Sequence, residues 1–247
     1  GCAPDTFLGT GLQSTLDAVG SGRIGTPFAA TATWGSPGPE SWHPSPQFFF
    51  LRGGGPVLDM GPYYVTALVT HLGPVTSVVA RAVNTERHRS VGSGPLAGTE
   101  LRVETPTYAT AILEHASGAL STVTLSFETW ASGNALLEIQ GTEGTLALPD
   151  PNWFSEAGRI FEAKVGEWRD LTPSAGYVEA GRGYGLAEMV EAIEQGRDHR
   201  ASGDLALHVL EVLSAINQSG VGDGPYTMTT AAVPPAAVPL TAWQGEL

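Results

Sequence analysis

The chain has 247 residues, 42% of them hydrophobic and 15% charged, enough for one large domain or two small ones with a real core. Its formal net charge of −13 and its single lysine, Lys164, exclude nucleic acid and acidic membranes as partners. Cys2 is the one cysteine, so a disulfide framework and a cysteine-based zinc site are both excluded; with no apolar run near the roughly 20 residues of a membrane span and no leader pattern, a cytoplasmic location is expected.

Residues 1–8 lack periodicity, and the opening Gly-Cys-Ala-Pro reads as the aftermath of a strand upstream of a cut beginning. Leu12, Leu16 and Val19 share one face of a short helix that Gly20 and Gly22 stop, and Phe28 to Trp34 is a strand. Ser36 to Gly55 is a long loop rich in proline, glycine and aromatics, and Trp42, Phe48, Phe49 and Phe50 suit it to burial or binding. After a central helix, Val75 to Val83 is a strand and Asn84 to Gly98 a polar, mobile excursion. Thr107 to Glu114 and Leu120 to Glu128 form the clearest hairpin, turning at Ala116-Ser117-Gly118. In its second strand Val123, Leu125 and Phe127 alternate with Thr122, Thr124 and Ser126, so one face is buried and the other is solvated or an oligomer interface.

Two further hairpins follow, 135–148 around Gly141-Thr142-Glu143-Gly144 and 159–171 around Val165-Gly166, which makes the sheet largely antiparallel. Near Tyr184 a helix begins on which Leu186, Met189, Val190 and Ile193 share a face, ending at Gly196. Ser202 caps the next, whose Leu205, Val209, Val212, Leu213 and Ile216 face inward; both helices are expected against the sheet. From Gly220 the chain, with Pro234-Pro235, reads as an extended tail that wraps or dangles.

The central stretch is Gly53-Gly54-Gly55-Pro56-Val57-Leu58-Asp59-Met60-Gly61-Pro62-Tyr63-Tyr64, running on to Leu72. The glycines permit a tight bend and Pro56 suits the first position of a helix. Leu58, Val65, Leu68, Val69 and Leu72 form a core stripe, with Asp59, Tyr63, Thr66 and Thr70 on a second, polar one. Asp59 and Tyr63 are one turn apart and suit acid/base work over a pocket. Equally, Asp59 suits the positive helix end and Tyr63 a packed ring with its hydroxyl satisfied. A phenol titrates near 10, and bringing it near 7 takes about 4 kcal/mol. Tyr63 as a base therefore needs a cation, which Lys164 on a distant hairpin does not supply, or it acts as a donor or proton relay.

His43, stiffened by prolines in Ser41-Trp42-His43-Pro44-Ser45-Pro46, either overhangs a pocket or decorates the surface beside an aromatic anchor. His71 suits the negative end of its helix, His208 is a satisfied helix histidine, and Arg200 is solvated or paired rather than an anion site. Gly9-Thr10-Gly11 lacks the preceding strand and the later acidic residue of a dinucleotide loop, and Gly92-Ser93-Gly94 and Gly181-Arg182-Gly183 fail likewise. The six histidines lack metal spacing, so no metal site is predicted.

Taken together, Gly22-Arg23-Ile24-Gly25, the run from Gly53 through Asp59 to Tyr63, Gly141-Thr142-Glu143-Gly144-Thr145-Leu146 and the helices around Arg200 to Glu211 resemble the carboxy-terminal half of the Gfo/Idh/MocA oxidoreductases, the glucose-fructose oxidoreductase and inositol dehydrogenase group. The resemblance implies an α+β fold, an open, mostly antiparallel sheet with helices packed on one face, akin to the glyceraldehyde-3-phosphate dehydrogenase carboxy-terminal domain. It implies that a Rossmann domain absent from this chain binds NAD or NADP and supplies a lysine near the aspartate. Asp59 matches that aspartate, whereas Tyr63 stands where the family commonly has a histidine. On this reading Asp59 orients substrate or tunes the lysine and Tyr63 bonds or relays a proton to the hydroxyl being oxidised. Trp42, His43 and Tyr64 are further pocket candidates.

The expected organisation is a linking segment and helix over 1–25, a substrate-binding and oligomerisation domain over 26–219 and the tail over 220–247. The expected function is the substrate half of an NAD(P)-dependent dehydrogenase for a sugar, polyol or related hydroxyl compound, inactive alone and homodimeric through the open sheet face. The alternatives are a short non-catalytic ligand-binding or dimerising module, and a parent that uses NAD transiently to cleave glycosidic bonds.

Overall fold

A computed structural model describes residues 1–218 and 224–242. Alternating burial builds nine strands into one sheet: β1 (Pro27–Gly35), β2 (Val75–Val83), β3 (Tyr108–His115), β4 (Leu120–Ser126), β5 (Leu137–Gly141), β6 (Gly144–Leu148), β7 (Arg159–Glu162), β8 (Trp168–Asp170) and, after the two-residue β9 (Tyr177–Val178), β10 (Tyr226–Thr227). The spatial order is β10-β2-β3-β4-β1-β5-β6-β7-β8. Every neighbouring pair is antiparallel except β1 with β4, where Ala32 lies opposite Val123. The three expected hairpins are all present.

In β3, Ala109, Ala111 and Leu113 face the core while Thr110, Ile112 and Glu114 face solvent, the period-two pattern of a sheet covered on one side. The cover comes from α1 (Thr10–Gly20), α3 (Gly61–Leu72) and α5 (Gly203–Asn217), which lie on that inner face. Val65, Leu68 and Val69 of α3 are fully buried, each worth about 2 kcal/mol. Ser202 caps α5 by accepting from the Leu205 amide at 3.2 Å.

The helix before β2 is not continuous. α2 (Pro56–Asp59) ends, Met60 forms a turn at φ −103°, ψ −24°, and α3 starts afresh at Gly61. Pro62 has no N–H to give the Leu58 carbonyl, which breaks the ladder there. The polar stripe is also shorter than expected, since Thr66 and Thr70 are buried and the Thr70 hydroxyl bonds back to the Thr66 and Ala67 carbonyls.

A second correction concerns α4 (Tyr184–Gln195). Its inner side is Glu188 and Ala192, while Leu186, Val190 and Ile193 are exposed at 63%, 47% and 71%. The Glu188 carboxylate, 0% exposed, accepts from Arg197 Nη1 at 2.5 Å, Arg200 N at 2.9 Å and Arg200 Nη1 at 2.8 Å, and this charge-assisted set turns the apolar stripe outward. Arg200 is thus a paired arginine. The described part of the tail wraps: Met228 N bonds Thr76 O, Val238 N bonds Gln13 Oε1, and β11 (Thr241–Ala242) runs parallel to β9. The expectation for 220–223 and 243–247 lies outside the described residues.

Candidate functional site

One end of the sheet, where β1 and β4 finish and β3 begins, gathers the candidate residues. Gly53 and Gly55 take positive φ, +91° and +88°, so the bend needs residues without a Cβ. At Gly54 a Cβ would lie 2.7 Å from the Phe48 carbonyl oxygen, and the Gly55 amide donates to Phe49 O at 2.7 Å. The bend is therefore fastened to the aromatic loop, and α2 leaves it with Asp59 N bonded to Gly55 O at 3.0 Å.

Asp59 is half-buried at the end of α2, and burial alone holds its carboxyl above the usual carboxylate range. Tyr63 is half-buried in the first turn of α3, its ring packed on the core. Their neighbours Leu58 and Pro62 line a hollow of about 290 Å³ walled also by Cys2, Ala3, Pro4 and, from α5, Leu207 and Leu210. Asp59 and Tyr63 themselves are not on the wall of this hollow; each is half-buried, next in sequence to a residue that is. Lys164 sits on the turn between β7 and β8 at the sheet's far edge, and its charge acts on Glu162.

Trp42 and His43 are brought together, with centroids 5.4 Å apart, and His43 lies 5.3 Å from Phe48 and 5.4 Å from Phe49. Trp42 is 65% and Phe48 56% exposed, so the loop offers solvent a shelf of aromatic faces. His43 Nδ1 accepts from Ser45 N at 3.1 Å, which fixes the ring. Tyr64 is placed apart from these residues: it is 0% exposed, its hydroxyl 3.5 Å from Asp150 Oδ1, and burial first, then the Asp150 charge, push its phenol up.

The sequence reading missed a polar hub beneath the shelf. Asn84 to Gly98, expected to be mobile, is anchored by Arg89, whose side chain is 1% exposed between Glu40 and Glu128. The signal was the pair Arg87 and Arg89 in an acidic chain, but their partners lie far away in sequence.

His71, His115 and His208 are all buried, and burial pushes each imidazole down, His71 to about 4. His208 is satisfied as expected, accepting from Val75 N at 3.0 Å and meeting the Thr230 hydroxyl at 3.1 Å. Among the described residues, no group of three or more His, Cys, Asp or Glu could hold a metal ion, and no helix is long and apolar enough to cross a membrane. A dinucleotide does not fit Gly9-Thr10-Gly11: a Cβ on Gly11 would lie 2.7 Å from Glu156 O, and its amide already donates to Phe154 O at 2.9 Å. These glycines serve close packing against 154–156, not a phosphate cradle.

Residues 13–147 match the family described as GFO/IDH/MocA C-terminal domain. Among solved structures, a NAD binding oxidoreductase from Klebsiella pneumoniae is 20% identical, with a TM-score of 0.72 over 91% of this chain and 65% of its own. An oxidoreductase from Agrobacterium radiobacter, solved with NAD+, L-tartaric acid and magnesium, is 20% identical, with a TM-score of 0.61 over 90% of this chain and 62% of its own. Levoglucosan dehydrogenase, solved with NADH and L-sorbose, is 18% identical, with a TM-score of 0.66 over 91% and 65%. At these identities the likeness is one of fold, and the chain spans just under two thirds of each of the three structures. No curated protein matches.

Proposed function

Because the chain belongs to the GFO/IDH/MocA family through that family's C-terminal domain, we propose that it is the substrate-side half of an NAD(P)-dependent dehydrogenase acting on a sugar, polyol or related hydroxyl compound. The ligands of similar folds, NAD+ with L-tartaric acid and NADH with L-sorbose, support that substrate class. What carries the reading is Asp59: a half-buried carboxylate, raised by burial alone, next in sequence to Leu58 on the wall of a hollow and four residues before a phenol. Such a group calls for a partner, either a substrate hydroxyl or an ammonium. In this role Asp59 orients the substrate and holds the adjoining cation, while the Tyr63 hydroxyl bonds the reacting hydroxyl and relays its proton. Trp42 and His43 offer the substrate their ring faces and an imidazole edge.

When bound, the nicotinamide supplies the hydride acceptor. We assign the dinucleotide and the cation to a separate domain that docks on apolar side chains exposed on α4 and α5, among them Leu186, Leu207 and Leu210, the last two on the wall of the hollow. By itself the 247-residue chain is then inactive. The outer face of the sheet, where Val79, Ile112 and Leu120 are about half exposed and Thr110 meets Thr124 at 3.2 Å, joins two copies; a monomer by light scattering at high concentration would count against this.

The test is to supply the intact gene product with NAD+ or NADP+ and a panel of sugars and polyols, following reduced nicotinamide and identifying products. Net oxidation is expected. Glycosidic cleavage without net reduction, or full turnover by the 247-residue chain alone, would overturn the proposal.

A further inference from the structure

Beneath the aromatic shelf lies a buried guanidinium for which the proposed chemistry has no direct use. Arg89 donates from Nη1 to Glu40 and to Pro37 O at 3.4 Å, and from Nη2 to Glu128 Oε1 at 2.7 Å and Phe127 O at 2.9 Å; its carbon lies 4.9 Å from the Phe50 ring centre. Arg87 seconds it, reaching Glu40 at 3.1 Å, Glu128 at 3.5 Å and Pro37 O at 3.0 Å. The segment carrying both arginines also grips the loop from outside. Gly92 N bonds Glu40 O at 2.7 Å, Ser93 Oγ bonds Trp42 O at 3.1 Å, Gln47 and Arg102 exchange two bonds, and Glu104 N bonds Phe50 O at 2.7 Å.

Stability alone does not account for this. Burying one guanidinium between two carboxylates often leaves a protein no more stable than apolar packing would. Glu40 Oε2, buried without a hydrogen-bond partner, shows that the cluster is not even fully satisfied. What a planar fork of five donors does achieve is geometric. It fixes the loop, through Pro37, Glu40 and Phe50, against the end of β4, through Phe127 and Glu128.

We propose that Arg89 is the positioning residue of the aromatic shelf, holding Trp42, His43, Phe48 and Phe49 in one place at the end of the sheet so that their faces meet a substrate ring. The link to substrate rests on the function proposed above; the positioning does not. Lysine keeps the charge at 89 but loses the fork, so Arg89→Lys must release the loop almost as far as Arg89→Met.

The test is native-state chymotrypsin cleavage at Trp42, Phe48 and Phe49, mapped by mass, in the wild type, R89K, R89M and Leu113→Ala. Leu113 is fully buried in β3, and its truncation serves as a control destabilised through the core. Cleavage within 42–49, compared at equal distance below each variant's melting temperature, is expected to rise about tenfold or more in R89K and R89M and to stay within about twofold of wild type in L113A. Quenching of the Trp42 emission, obtained by difference from W42F, should rise in parallel. If R89M does not fold, R89K and Glu128→Gln carry the comparison. Loop cleavage no faster in the Arg89 variants than in L113A overturns the proposal. If the loop is released yet Trp42→Ala leaves sugar oxidation by the intact gene product unchanged, the positioning stands and the substrate role of the shelf falls.

Discussion

Lowering the pH from about 7.5 to about 4.5 tests one buried ring in particular, His71. Its Nδ1 lies 2.7 Å from the Ala67 carbonyl and so carries the neutral ring's proton, while Nε2 lies 2.9 Å from the Thr15 hydroxyl, which itself donates to the Leu12 carbonyl at 2.7 Å. A second proton would put a charge into the packing between α1 and α3, and burial pushes the imidazole down from the ordinary 6.5 to about 4. In the unfolded chain His71 is protonated near pH 6.5, whereas the folded protein resists until about pH 4. Its contribution is therefore complete above 6.5, falls through the interval and is lost by about 4; the gap corresponds to about 3 kcal/mol. His115 and His208 are pushed down too, so the wild-type curve alone does not isolate His71. His71→Gln keeps a donor and an acceptor but does not titrate. Urea unfolding of both proteins across the interval should show the wild type losing about 3 kcal/mol more than H71Q, a midpoint shift of about 1 M at an m-value of roughly 3 kcal/mol/M. Curves that stay parallel would refute the placement of a neutral His71 in the core.

Asp59→Asn removes a carboxylate that burial disfavours, so at neutral pH the variant should be the more stable of the two, and the advantage should fade as acid protonates the wild-type group; denaturant titration at two pH values checks both signs. Gly61→Ala puts a methyl against Leu213, with Leu125 at 3.2 Å, where the break between α2 and α3 comes closest to α5 and β4. That overpacking should cost about 1–3 kcal/mol in the same assay, and a neutral result would mean that the break is loosely packed.

Local patterns were legible in the sequence, whereas long-range pairings were not. Val123 and Leu125 alternating with Thr122 and Thr124 announced a half-covered sheet, and the Gly53 to Pro56 bend announced a helix start. The apolar stripe of α4 was also real, but periodicity says which residues share a face, not which way it points; Glu188 decided that by binding two arginines. The parallel β1 and β4 pair joins residues about ninety apart, and nothing local encodes it. Anchoring of the 84–98 segment escaped notice for the same reason, since Arg89 finds its carboxylates 49 and 39 residues away. At the site, the residues along the bend could be read, but the hollow beside Leu58 and Pro62 needed α5 and the first residues brought together by the fold.

The central claim is that Asp59 and Tyr63 act on a substrate hydroxyl, and its most direct test is the single-turnover rate of hydride transfer in the intact gene product and its D59N and Y63F variants, with dinucleotide affinity measured alongside. Each variant should slow transfer by about a hundredfold or more while binding nicotinamide as tightly as before. Transfer at the wild-type rate in both variants would contradict the account.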